Sequence, residues 1–346
     1  MYFTETEIMS THEALEKTYM QIVSMRSEIE SFFSSNSQRR VVFIGCGSSF
    51  MIAKGCARLF ATKPDTSTIA IASGDYLVNP DYYKDVIRES VVIGFSRTGA
   101  TSEILRAVDH MRETSNARIV SLTLSAENAF ADRSNLSIKL PWAYDESVCQ
   151  TRSVTNLFAA YLLLYAICYG DDQLIADVGS AIETNEQFKI DNRPALEAIG
   201  KKDFTDVVVL ADGPLDGIAE EGALAFTEIT FVPGRFSHVL DYRHGPIVLN
   251  GKNTLTIVAL QTGEDTYQSQ LIADLKTRGG LVVTVGQSAR NPYNADLHID
   301  AGHDGSFAAM GIPFIYVCQM IAFAHALQKG VNPDKPSGLD LFITLK

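Results

Sequence analysis

Two spacings of apolar residues alternate along this chain, one helical and one continuous, and their alternation predicts its elements. From Glu7 to Phe33 the apolar residues Leu15, Tyr19, Ile22, Val23, Ile29 and Phe33 recur at near-helical intervals in a charged background, which predicts a long leading helix, or two. A polar loop, 34–38, separates it from Arg-Val-Val-Phe-Ile-Gly at 40–45, an uninterrupted apolar run of strand length, followed by helical spacing over 51–60. Similar short runs stand at 69–72, 90–95 and 117–124. Strands that are apolar at nearly every position are buried on both faces. Alternated with helices, they argue for a parallel sheet covered on both sides, so an α/β fold is expected.

The second half repeats this plan. Val41-Val42-Phe43 matches Val207-Val208-Val209, Val91-Val92-Ile93 matches Leu255-Thr256-Ile257, and Ile119-Val120 matches Leu281-Val282. The closing apolar helices, 154–168 and 312–327, fall in the same order. Four units in one order, with separations that shrink slowly from 166 to 158 residues, predict two tandem α/β/α subdomains. The expected organisation is a helical segment 1–35, a first subdomain 36–170, a linker helix 171–195, a second subdomain 196–330 and a tail 331–346.

Composition narrows the function classes. With 346 residues and 46% apolar content the chain can bury two sizeable cores. Its 29 basic and 41 acidic residues give a formal charge of −12, so there is no electrostatic case for a nucleic-acid surface. Cys46, Cys56, Cys149, Cys168 and Cys318 are odd in number and scattered, without a C-x-x-C pair. Neither a disulfide framework nor a metal site is expected, and a reducing cytoplasm is. The first residues lack the basic and apolar regions of a secretory signal, and the longest apolar stretch, 157–168, is too short to span a bilayer, so no membrane partner is expected.

The densest chemistry of the first half is Ser-Arg-Thr-Gly-Ala-Thr-Ser-Glu at 96–103, between the strand 90–95 and a helical pattern that begins at Ile104. Helix N-termini present unpaired N–H groups and a positive dipole end. Ser96, Thr98 and Thr101 add hydroxyls, and Gly99 permits close approach. Two readings stand, a phosphate cradle and an ordinary polar turn. Gly45-x-Gly47-x-x-Phe50 has Phe where a dinucleotide fingerprint needs its third glycine, and no G-x-x-x-x-G-K-[ST] loop occurs, so no nucleotide cofactor is expected. Ser48 and Ser49 either join the cradle from the same sheet edge or cap the next helix. A third polar cluster, 146–155, precedes the most apolar helix.

In the second half, 220–229 reads as a helix with Glu221, Leu224, Ala225 and Glu228 on one face. Glu228 is there either a solvated surface residue or a base able to take a carbon-bound proton. Residues 236–246 crowd His238, Asp241, Arg243 and His244 into a loop closed by Gly-Pro, where His244 can shuttle protons near neutral pH.

Gly-Cys-Gly-Ser-Ser (45–49), Ser-Arg-Thr-Gly-Ala-Thr (96–101), Glu-Ser-Val-x-x-Thr-Arg-Ser (146–153), Glu-Gly-Ala-Leu-x-x-x-Glu (221–228) and His-Gly-Pro (244–246) in this order resemble the sugar isomerase (SIS) superfamily. The similarity runs from about Glu7 to the C-terminus. It is to the double-SIS isomerase half of glutamine–fructose-6-phosphate aminotransferase and to stand-alone amino-sugar-phosphate deaminase/isomerases and fructosamine-6-phosphate deglycases. The resemblance implies a phosphorylated sugar ligand held by Ser48, Ser96, Arg97, Thr98 and Thr101, with Gln150 and Thr151 near the sugar. It also implies Glu228 as the proton-transferring base, and His244 as the ring-opening histidine given to the partner's site in a homodimer.

Departures from the aminotransferase are equally informative. No glutaminase domain precedes the lobes in this sequence, Ala225 replaces the lysine three residues before the glutamate, and Leu341 aligns with a tail lysine, for which Lys335 or Lys346 would have to substitute. These losses turn the expectation towards an already aminated sugar phosphate that releases ammonia or an amine. Simple aldose–ketose isomerisation is the alternative within the class. A non-catalytic phosphosugar sensor is the alternative outside it, disfavoured by two lobes and the absence of a basic DNA-binding module. The second-half counterpart of the cradle, 261–266, carries two acids and is expected to repel phosphate.

Overall fold

A computed structural model describes residues 2–64, 66–263 and 266–345. The leading stretch is broken into α1 (Phe3–Met9), α2 (Thr11–Ser24) and α3 (Arg26–Ser34). The first sheet unit then runs β1 (Arg40–Gly45), α4 (Ser48–Phe60), β2 (Thr68–Ala72), α5 (Ser73–Val78), α6 (Pro80–Ile87), β3 (Ser90–Ser96), α7 (Ser102–Thr114), β4 (Arg118–Thr123), β5 (Leu136–Lys139) and α8 (Arg152–Tyr169). After α9 (Asp172–Glu183) and α10 (Asn185–Gly200) come β6 (Asp206–Leu210), α11 (Asp216–Thr230), β7 (Gly234–Ser237), β8 (Thr254–Ala259), α12 (Thr266–Thr277), β9 (Leu281–Gly286), β10 (Leu297–Asp300) and α13 (Gly311–Gln328).

Both sheets are parallel throughout and have one order: β2-β1-β3-β4-β5 in the first, β7-β6-β8-β9-β10 in the second. The fold is therefore two tandem α/β/α subdomains, as expected. One match needs correction. Val91 pairs with Arg118 and its equivalent Leu255 with Leu281, so Leu281 corresponds to Arg118 and not to Ile119. Side chains alternate faces along a strand, so that one residue decides which face each occupies. The lobes differ after their second strands. The first inserts α5 and α6, whereas the second makes short 3-10 turns at Asp241–Arg243 and Pro246–Leu249, and the His-Gly-Pro motif lies there.

Neither compact unit is a single stretch of chain. Residues 13–145, 152–176 and 340–346 gather with the first sheet, and residues 1–12, 146–151 and 177–339 with the second. In the first unit Val42, Ile44, Val92, Ile104, Val108 and Phe130 form a core beside the sheet, and α8 is buried from Ser153 to Ile167. In the second, Val208, Leu210, Val258, Leu271 and Val282 do the same. Its α13 is, by length and composition, long and apolar enough to cross a membrane, which the shorter run at 157–168 was not; 89% of it is buried, so it is a core helix. The acidic counterpart loop at 261–266 includes positions 264 and 265, which lie outside the described residues, as does Lys346.

Two polar residues of α13 make hydrogen bonds inside the fold. Gln319 Nε2 donates to Thr151 O at 3.0 Å, and His325 Nδ1–H donates to Gly200 O at 2.9 Å while its ring stacks on Phe204. Burial holds His325 below the usual histidine pKa. The unfolded chain then takes up this proton first as pH falls, so stability must decline below the unfolded pKa. Calorimetry should show Tm falling between about pH 7.5 and about pH 5.5, with a smaller fall in His325→Gln; equal falls would remove His325 as a cause.

Candidate active site

In the first unit the sheet order places β1 and β3 side by side, while the chain leaves β1 towards β2 on one side and β3 towards β4 on the other. The C-terminal ends of β1 and β3 therefore flank the point where the connections diverge, the usual ligand crevice of such sheets. Ser48 is the first residue of α4 just beyond β1, and Ser96 ends β3. The turn into α4 needs a glycine at 45, because a Cβ there would lie 2.5 Å from Ser49 O. The structure brings Ser48, Ser96, Arg97, Thr98 and Thr101 to this edge. The first four are buried and Thr101, at the N-cap of α7, is half-buried.

The loop 96–101 is held from inside and from behind. Gly99 N–H donates to Ser96 Oγ (2.9 Å) and Ala100 N–H to Thr98 Oγ1 (3.1 Å). These amides fix the hydroxyls, whose single O–H protons remain to donate elsewhere. Gly99 has φ +61°, and a Cβ there would meet Asn128 Oδ1 at 2.2 Å. Asn128 itself is tied to Thr123 Oγ1, Ser125 O and Ala131 N, while Phe130 N–H donates to Gly99 O and Leu124 N–H to Arg97 O. Asn128 therefore braces the loop. Nothing in its sequence spacing marked it.

Arg97 turns towards the tail. Its Nη2 donates to Leu341 O at 2.7 Å, Ser102 N–H donates to Ile343 O, and Leu345 N–H to Ser102 Oγ. Residues 341–345 thus run along the loop and the first turn of α7. In the neighbouring Gly-Cys-Gly turn, burial pushes the Cys46 thiol up to about 11, with Glu103 adding to the effect and a Ser73 hydrogen bond opposing it. At neutral pH Cys46 is a thiol and no nucleophile.

Gln150, Thr151, Glu228 and His244 belong to the other unit. The loop 146–151 is anchored at several points. Glu7 Oε1 accepts the amides of Glu146 (2.6 Å) and Ser147 (3.1 Å), the Ser147 hydroxyl donates to Glu7 Oε2, and Val148 N–H donates to Asp334 O. Thr151 is buried and Gln150 half-buried. Helix α11 packs its small-residue face on α13, where Gly222 lies against Cys318. On the expected face Glu221 and Ala225 are buried and Leu224 and Glu228 half-buried, so Glu228 is neither a fully solvated nor an enclosed carboxylate. Glu221, a buried carboxylate at 1% exposure, was marked in the sequence by its i, i+7 spacing to Glu228 and by opening the Glu-Gly-Ala-Leu-x-x-x-Glu motif, without a role assigned to it. His238 pairs with Asp212 and Asp216 at its rim, whereas His244 is exposed between two 3-10 turns. Among the described residues no group of three or more His, Cys, Asp or Glu side chains could hold a metal ion.

Comparison with known proteins places this geometry. The model of the SIS domain family matches residues 36–167. The glutamine–fructose-6-phosphate aminotransferase (isomerizing) of Sulfolobus acidocaldarius is 26% identical over 358 residues; the match covers all of this chain and 57% of that protein, so the chain spans little more than half of its length. The D-galactosamine-6-phosphate deaminase AgaS of a Shewanella species is 27% identical over 314 residues, covering 86% of this chain and 78% of its own. Among solved structures, tagatose-6-phosphate ketose/aldose isomerase from Escherichia coli superposes with a TM-score of 0.84 at 22% identity, covering 98% of this chain and 96% of that one. Glucosamine-6-phosphate deaminase from Thermotoga maritima superposes with a TM-score of 0.75 at 24% identity, covering 95% and 100%.

Proposed function

Since residues 36–167 are a SIS domain and the second lobe keeps its strand order, we propose that this chain is an enzyme acting on an amino-sugar 6-phosphate or a fructosamine 6-phosphate. It moves a proton between C1 and C2 and releases ammonia or an amine. The observation that carries this reading is the makeup of α11 and the tail. Glu228 stands where the resembled aminotransferase has its proton-transferring glutamate, while Ala225, which is buried, and Leu341, which is exposed, stand where it has lysines. A site with the base but neither lysine suits a substrate that already carries its nitrogen.

For a 2-amino aldose 6-phosphate the steps balance as follows. The hydroxyls of Ser48, Ser96, Thr98 and Thr101 donate to the phosphate oxygens. With the ring open, Glu228 takes the C2 proton while O1 gains a proton from water, giving an enolamine, and returns its proton to C1 as the amine loses an N–H proton to water, leaving a C1 hydroxyl and an imine at C2. Water then adds at C2 and ammonia leaves, giving a ketose phosphate. Gln150 and Thr151 contact the sugar. Free cysteines throughout are in keeping with a reducing cytoplasm.

His244 acts on ring opening from the partner of a homodimer. Supporting this, His244 is exposed and Leu240, Val248 and Leu249 of the same loop expose large apolar side chains, a surface suited to self-association. The test incubates the protein with glucosamine 6-phosphate, galactosamine 6-phosphate and glycated amino-acid 6-phosphates while ammonia, free amino acid and sugar phosphate are measured. Turnover without amine release would replace this reading with simple isomerisation, and binding without turnover would replace it with a sensor. For the dimer, Glu228→Gln and His244→Ala proteins are mixed and allowed to exchange subunits. Sites shared across a two-fold axis should recover about one quarter of wild-type activity. No recovery from mixed dimers would place His244 in its own subunit's site.

A further inference from the structure

We propose that Glu7 is a positioning residue that sets the sugar-contacting loop 146–151 from beneath. The inference rests on the reading above in one respect, that Gln150 and Thr151 touch the sugar. The geometry is independent of it.

Glu7 lies on α1, far from the loop in sequence, and its side chain is 3% exposed. One carboxylate oxygen accepts two consecutive loop amides, Glu146 N–H at 2.6 Å and Ser147 N–H at 3.1 Å, and the other accepts the Ser147 hydroxyl. Two successive backbone N–H groups aimed at one oxygen fix the peptide plane between residues 146 and 147, and so the direction in which the chain continues to Gln150. A buried carboxylate is costly unless its oxygens are well filled, which makes these bonds hard to exchange for water.

The helix that carries Glu7 is itself held at both ends. Asp334 accepts the amides of Phe3 (2.9 Å) and Thr4 (2.8 Å) and the Thr4 hydroxyl (2.8 Å) at its N-terminus. At its C-terminus the buried Lys189 ammonium donates to Met9 O at 2.7 Å. Asp334 O also accepts Val148 N–H (3.0 Å), and Gln319 holds Thr151 O. The loop is thus anchored on both sides of Gln150. Among these anchors, the Glu7 carboxylate makes three bonds to the loop itself.

A tie of this kind predicts an effect on KM, which a role in folding alone would not. Glu7→Ala and Glu7→Asp, whose shorter side chain draws the carboxylate back from both amides, should raise KM for the phosphosugar at least about tenfold. The inhibition constant for inorganic phosphate, which reads only the hydroxyl loop of the first lobe, should stay at the wild-type value. Glu7→Gln keeps an acceptor for the amides and should restore most of the affinity. Should Glu7→Ala not fold, the Asp and Gln variants carry the comparison, and wild-type KM in both would overturn the inference. Deuterium exchange of the 146–151 amides tests it even if wild type turns over no phosphosugar. Faster exchange in Glu7→Asp than in wild type supports the tie, and unchanged exchange overturns it. A wild type without activity counts against the proposed function alone.

Discussion

Glu228→Gln is expected to lower kcat for amine release by about 10²- to 10⁴-fold, the contribution of a positioned general base, while leaving phosphosugar binding nearly intact. Glutamine matches glutamate in shape but cannot hold the transferred proton, so the substitution separates chemistry from packing. The fold should tolerate it. The position is half-buried, and the packing of α11 on α13 runs through Gly222 and its neighbours on the buried face. The informative measurement is single-turnover rate together with exchange of solvent deuterium into C1 and C2 of the bound sugar. Both should fall together. Exchange that persists at the wild-type rate in Glu228→Gln would assign the proton transfer to another group, with buried Glu221 on the same face the next to replace.

The second large effect is expected at the hydroxyl loop. Ser96→Ala combined with Thr98→Val removes two donors to a charged acceptor, each worth about 1.5–3 kcal/mol, so phosphosugar affinity should fall by about 10²- to 10⁴-fold. Calorimetric titration reads this directly, and equal affinity would end the assignment of the loop to phosphate. The structure adds a stability cost. The same oxygens accept Gly99 N–H and Ala100 N–H, and the double variant leaves both amides without their partners. Gly99 is buried whereas Ala100 is exposed to water, so the unmade bond at Gly99 costs about 1–3 kcal/mol, Tm should drop as well, and binding must be compared at a temperature where both proteins are folded.

Apart from the edge strand β2, read from the short apolar run 69–72, the strands legible in the sequence were those buried on both faces. β1, β3, β4, β6, β8 and β9 occupy inner positions in their sheets and are nearly continuous apolar runs. The short edge strands β5, β7 and β10 carry half-exposed residues, so they had no continuous run to mark them. The 3-10 turns around His244 fall in and just after the segment 236–246 that reads as a loop closed by Gly-Pro; the pattern did not mark the turns themselves.

By itself, then, the sequence determined the α/β class, the doubling of the lobe and the residue types available for phosphate and proton chemistry. Local patterns carry these, since strand burial, helix spacing and motif order are all written in neighbouring positions. Tertiary structure alone decided how those residues are used. It turned the Gly99 and Ala100 amides onto Ser96 and Thr98, drew Arg97 to a tail carbonyl 244 residues away, and set the Glu7 carboxylate under a loop 139 residues further on. The last two are contacts between distant stretches of chain, made only when burial forces a polar group to find its partner wherever the fold has placed one.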